Sequence, residues 1–161
     1  MLNFLKDGRV VFAAFVIFMV IGAGFGVWSG RYDLIILDQI SDAENVRSAL
    51  AAMTPEQKSA HWWMTLVLDY AYPAAYGALF LGITWRFFGS AGKWLAIPAI
   101  VTVIVDVIEN TIQLVLLSGD ESLIWFKVLM TQIKFPAFLL AALIALIGLG
   151  IGVYRRVSGV K

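Results

Sequence analysis

The stretch VTVIVDVIENTIQLVLL, Val101–Leu117, is built mostly from aliphatic residues yet carries Asp106, Glu109 and Asn110 near its middle. Extended from Lys93 to Ser118, it is long enough to cross a hydrocarbon core of about 30 Å as a helix. An ionisable group in such a span is penalised by lipid, so it is retained where it faces a partner or a cavity. Two acids cost roughly 6 kcal/mol on insertion scales, and the span's aliphatics return only about 4 to 8 kcal/mol. The segment is marginal alone and calls for neighbouring helices that shelter its acids.

Those neighbours are present. Apolar runs from Val10 to Ser29, Trp62 to Phe88 and Ile124 to Tyr154 give three more spans. With 61% hydrophobic and 14% charged residues in 161, the composition is that of a membrane protein. The expected fold is therefore all-α, a polytopic integral membrane four-helix bundle forming one domain, with a short amphipathic helical segment at 31–61 on the outer side. The net charge of +1, with no basic patch, gives no support for nucleic acid. Absence of cysteine excludes disulfides, thiol nucleophiles and thiolate metal sites, and a single histidine excludes bis-imidazole haem ligation within one chain.

Lys6 and Arg9 precede the first span, Arg86 and Lys93 flank the link after the second, and Arg155, Arg156 and Lys161 follow the fourth. Positively charged short segments stay in the cytoplasm, which places both termini there. The first span resembles a secretory signal in its basic start, but its apolar run is too long and it is expected to be retained. In the outer segment Ser41 with Glu44 and Thr54 with Gln57 fit capping boxes, and Pro55 suits a first helical position. Two short helices are predicted, the first over about Asp42 to Met53 with Val46, Leu50 and Met53 on one side, lying on the membrane surface or capping the bundle. Trp62, Trp63, Trp85, Trp94 and Trp125 sit at span ends as interfacial anchors. Gly22 with Gly26 and Gly148 with Gly152 have the spacing of close helix contacts. Pro73 and Pro136 each free a backbone carbonyl one turn earlier, at Asp69 and Gln132.

Helical spacing gathers the polar residues into stripes. Thr102, Asp106, Glu109, Asn110 and Gln113 share one face of the third span, Thr65, Asp69, Tyr72 and Tyr76 one face of the second, and Lys127, Thr131 and Lys134 one face of the fourth. Counted from the outer ends, Asp69, Glu109, Lys134 and Asp106 lie at depths of about 10, 14, 15 and 18 Å. The expected cluster is Asp69, Tyr72, Tyr76, Asp106, Glu109, Asn110 and Lys134, opening outward. In it Lys134 is the one deep cation against three acids. Lys134 would neutralise carboxylates or hold an anionic head group, and Tyr72 and Tyr76 would line the entrance. A divalent ion on Asp69, Asp106 and Glu109 has suitable oxygen donors, but the spacings of metal-dependent lipid enzymes are missing, so no metal is assigned. No cofactor is implied, and His61 is expected to be a loop histidine near the surface.

The succession Leu68-Asp69-Tyr70-Ala71-Tyr72-Pro73 with Tyr76-Gly77, then Asp106-Val107-Ile108-Glu109-Asn110, then a lysine in the last span, resembles a group of uncharacterised bacterial four-span membrane proteins. The resemblance runs from about Arg31 to Pro136, and D-x-x-E-N inside a span is its most specific element. It implies the four-span architecture, a bacterial inner membrane location and matched positions at Asp69, Tyr76, Asp106, Glu109, Asn110 and Lys134, without naming an activity. The function expected is an outward-facing intramembrane pocket for a small or lipid-like ligand. The alternatives are a membrane-embedded enzyme acting on a lipid or quinone-like substrate, and a structural or accessory subunit. Membrane lipids are the expected surroundings, with a homo-oligomer or a larger membrane complex as further partners.

Overall fold

A computed structural model describes residues 2–159 and is helical throughout, with no strand among the described residues. Lys161, one of the basic residues that orient the chain by sequence, lies outside the described residues. Five helices carry the fold: α1 (Gly8–Tyr32), α2 (Ala43–Ala52), α3 (Pro55–Phe87), α4 (Ile97–Leu117) and α5 (Ile124–Ser158). Four of them, α1, α3, α4 with its preceding turns, and α5, are long and apolar enough to cross a membrane.

Local chemistry sets the ends. Asp7 caps α1 by accepting from the Arg9 amide at 2.7 Å, and Asp33 ends it in the left-handed region at φ 51°. The capping box expected at Thr54 and Gln57 forms in both directions, at 3.0 and 3.2 Å, with Pro55 in the first turn. Gln57 also donates to the Asp33 carbonyl at 3.0 Å, which ties the end of α1 to the start of α3. The box expected at Ser41 and Glu44 does not form. Asp42 is the cap instead, taking the Asn45 amide at 3.0 Å, because an ionised carboxylate is a stronger acceptor for a helix N-terminus than a hydroxyl.

The short helix α2 caps the bundle. Val46 and Leu50 are fully buried and pack with Leu116, Leu117, Ile124 and Val128 where α4 passes into α5. The second predicted helix runs from Pro55 without a break into the long apolar one. Inside it, Thr65–Asp69 widens to a π-helical turn in which the Tyr70 amide reaches the Thr65 carbonyl. Eight residues after that turn, Gly77 lets α4 come close, since a Cβ there would lie 2.6 Å from Val103 Cγ2.

Packing is uneven. α3 touches α1, α4 and α5, and α4 lies along α5, but α1 leans mainly on α3 and buries only Ala14 fully. Of the two glycine pairs, Gly148 and Gly152 meet the Phe87 and Phe88 rings, whereas Gly26 has nothing within 4 Å. Gly22 lies beside Tyr72 of α3, so only one member of that pair makes a helix contact among the described residues. Leu5 against Gly82, the Arg86 guanidinium on the Lys6 carbonyl, and Gly152 against Phe87 gather the N-terminal turn, the α3 end and the α5 end at one end of the bundle. The loop 33–42, α2 and the α4–α5 link form the opposite end, where Arg47 pairs with Glu121 at 3.5 Å.

Candidate functional site

The three polar stripes meet. On α4 the buried Gln113, Asn110, Glu109, Asp106 and Thr102 descend from the loop end as a ladder, and each rung but one finds a side chain or carbonyl of a facing helix. Gln113 donates to Thr65 Oγ1 at 2.8 Å, and Asn110 donates to the Asp69 carbonyl at 2.7 Å. That carbonyl is the one Pro73 leaves without an amide, so the expected helix defect is repaired by a side chain from α4. Tyr76 donates to Asp106 Oδ2 at 2.8 Å. Thr102 is the exception, returning its hydroxyl to the Pro98 carbonyl of its own helix at 2.8 Å.

Two lysines of α5 hold the acids. Lys134 Nζ lies 2.8 Å from Asp38 Oδ2, 3.2 Å from Asp106 Oδ1 and 2.5 Å from Glu109 Oε2. The last contact is a close ion pair rather than an aligned hydrogen bond, since Glu109 Oε2 has no partner by hydrogen-bond geometry. Lys127 Nζ lies 3.3 Å from Glu109 Oε1 and donates to the Leu37 and Ile40 carbonyls at 2.5 and 2.8 Å. Thr131 adds a hydroxyl to Glu109 Oε1 at 2.5 Å. Each lysine thus makes two hydrogen bonds and an ion-pair contact with Glu109.

Lys134 is thus not the one deep cation. Lys127 is wholly buried and shares Glu109. Its place on the Thr131 and Lys134 face was a signal that the sequence carried, but its nearness to the start of α5 made it look like an end residue. Asp38 is a second addition, brought by the single 3₁₀ turn Leu37–Gln39 from a loop that looked external. The apolar run Leu34-Ile35-Ile36-Leu37 before it was the available hint, and Leu37 is fully buried. Burial pushes the Asp38 carboxyl up, but Lys134, with Lys127 beyond it, outweighs this and holds the group below its ordinary 3.8.

His61 is also not a surface loop residue. It is fully buried, its Nε2 accepts the Leu37 amide at 3.3 Å, and its Nδ1 faces Thr65 Oγ1 at 3.4 Å. With Nε2 as acceptor, a neutral ring carries its proton on Nδ1. The loop is therefore latched through its backbone by His61 and Lys127 and through its side chain by Lys134.

Asp69 stands apart. It is 5% exposed, and its Oδ2 has no partner, although the Asp69 backbone is engaged by Asn110. It borders a cavity of about 360 Å³ together with Asp38, Tyr72, Tyr76, Asp106 and Lys134. Gly22 and Phe25 of α1 and Phe135 and Phe138 of α5 complete most of the wall, and Ile36 and Gln39 lie at its loop side. The cavity exists because α1 does not close against α5. Its aromatic wall is ordered: Tyr72 stacks on Phe18 at 5.0 Å and meets Phe25 and Tyr76 edge-on, and Tyr76 meets Phe138 edge-on at 5.3 Å.

Of the residues expected from sequence, Asp69, Tyr72, Tyr76, Asp106 and Lys134 border this cavity, whereas Glu109 and Asn110 lie among the packed helices behind it. The carboxylates near enough to share a metal ion are Asp38, Asp106 and Glu109, with oxygens within 4.8 Å of one another, not the trio that includes Asp69. Lys134 bridges all three and occupies the position a cation would take. Four acids, Asp38, Asp69, Asp106 and Glu109, thus face two lysines. No family model, curated protein or solved structure matches this chain.

Proposed function

We propose that this chain is a multi-pass membrane protein whose loop-end cavity binds a small or lipid-like molecule. The membrane setting is supported by the belt of exposed apolar side chains, including Phe12, Phe15 and Ile17 on α1 and Leu139, Leu143 and Leu146 on α5, which water would not favour. By the distribution of Lys and Arg, the termini face the cytoplasm and the cavity faces outward, in a bacterial inner membrane. The likeness to four-span bacterial proteins carrying D-x-x-E-N belongs to the same proposal.

The observation that carries the binding role is the cavity itself: about 360 Å³, walled by aromatic rings and edged by charged groups, one of them unpaired. Sites for small molecules have this composition, mostly apolar with a few placed polar groups. A network meant only to fasten helices would be packed shut, as the Lys127 and Glu109 region is. Native mass spectrometry of the protein extracted in mild detergent tests the proposal. A small-molecule adduct is expected on the natural chain and absent from Gly22→Phe, whose ring would fill the cavity, at an unchanged melting temperature. An adduct that survives in Gly22→Phe, or a natural chain that carries none, overturns it.

A further inference from the structure

We infer that the cavity takes a cationic amphiphile, a protonated amine on an apolar body, with Asp69 as its counter-charge, an inference that rests on the cavity being a binding site. Two residues that line the cavity, Asp69 and Asp38, each keep a buried side-chain oxygen without a hydrogen-bond partner. Both oxygens belong to carboxylates. The other acids are engaged: Asp106 by Tyr76 and Lys134, and Glu109 by Lys127, Lys134 and Thr131.

The lone cation at the wall among the described residues, Lys134, donates to Asp38 and Asp106 and is ion-paired with Glu109, so three carboxylates already surround its charge and an anionic head group would compete with all of them. An anion entering the cavity would meet the Asp69 carboxyl and a lysine already neutralised by Asp38, Asp106 and Glu109. A positive group would meet the Asp69 carboxyl, which has no cation of its own, among the aromatic rings of Tyr72, Tyr76 and Phe138. The apolar body then lies along Phe25, Phe135 and Phe138 in the gap between α1 and α5.

Three probes with one body and three heads separate the possibilities: phenylbutylamine, phenylbutanol and phenylbutyrate, titrated into the detergent-solubilised full chain, with protein-free micelles as the baseline. The amine is expected to bind at least about tenfold more tightly than the alcohol, the gain of a charge-assisted hydrogen bond, and the carboxylate most weakly. Asp69→Asn should remove the amine's advantage and leave the alcohol's affinity in place. Alcohol or carboxylate binding that equals the amine's in the natural chain overturns the cationic assignment while the cavity stands as a site. Saturable binding by none of the three overturns the cavity along with it. The natural chain alone decides between these outcomes, so the test does not depend on Asp69→Asn folding.

Discussion

The polar layer has two halves that differ in access. Around Glu109, Lys127, Thr131, His61 and Gln113 every side chain is fully buried, and both Glu109 oxygens are faced by ammonium groups. Around Asp69, Tyr72, Asp106 and Lys134 the same kinds of residue border open space, and the Asp69 carboxyl pairs with neither lysine. The contrast shows how one set of buried charges can serve two ends. Where α4 and α5 pack along their length, charges fix the helices and latch the loop. Where α1 stands away from α5, charges are left over for something else.

The largest effect should separate the halves by stability. Lys127→Met leaves Glu109 with one cation and strips the Leu37 and Ile40 carbonyls of their donor, deep in a region without water. A loss of about 5 kcal/mol is expected, the upper end for removing one member of a buried pair. Lys134→Met should cost about 3 kcal/mol, because water in the cavity can solvate Asp38 and Asp106. Chemical unfolding in micelles ranks the two, and a greater loss in the Lys134 variant would break the distinction between sealed and open halves.

Asn110→Leu comes next. It orphans the Asp69 carbonyl that Pro73 has already deprived of an amide, and a loss of about 1 to 3 kcal/mol should follow, read from the same unfolding curves. Pairing it with Pro73→Ala sharpens the point: the restored amide should recover part of that loss, and no recovery would mean that Asn110 acts through something other than this carbonyl.

Acid should loosen the loop before it melts the sealed half. Asp38 is held below its ordinary 3.8 in the folded protein, so its contribution is complete above that value and declines as pH falls through the lower folded value. Hydrogen exchange over 36–42 is expected to quicken below about pH 3.8 while α4 amides near Glu109 stay protected. The smallest effect on stability belongs to Asp69→Asn, within about 0.5 kcal/mol, since Oδ2 bonds to nothing that the substitution would break. A large loss there would place Asp69 in the structural half instead.

The comparison also marks where sequence periodicity suffices. The stripes on α3, α4 and α5 were legible because a helix places residues three and four apart on one face, and the segments are long enough for the pattern to repeat. The Thr54 and Gln57 box and the Pro73 carbonyl were equally local. Asp38, His61 and Lys127 were not. Asp38 lies in a loop, Lys127 in the first turn of α5 and His61 about two turns into α3 before its apolar run, and all three are buried by a fold-back of the loop onto α3 and α5 that depends on contacts 24 to 96 residues apart.

By itself the sequence determined four apolar helices, the faces on which they carry polar groups and a total of acids that exceeds the lysines. These follow from composition and from the period of the helix, which any isolated segment expresses. Only the tertiary structure decided which acid meets which lysine, that a loop supplies Asp38 and seals one half, and that α1 leaves a cavity on the other. Those depend on how whole helices lean on one another, and a gap between α1 and α5 is a property of no single segment.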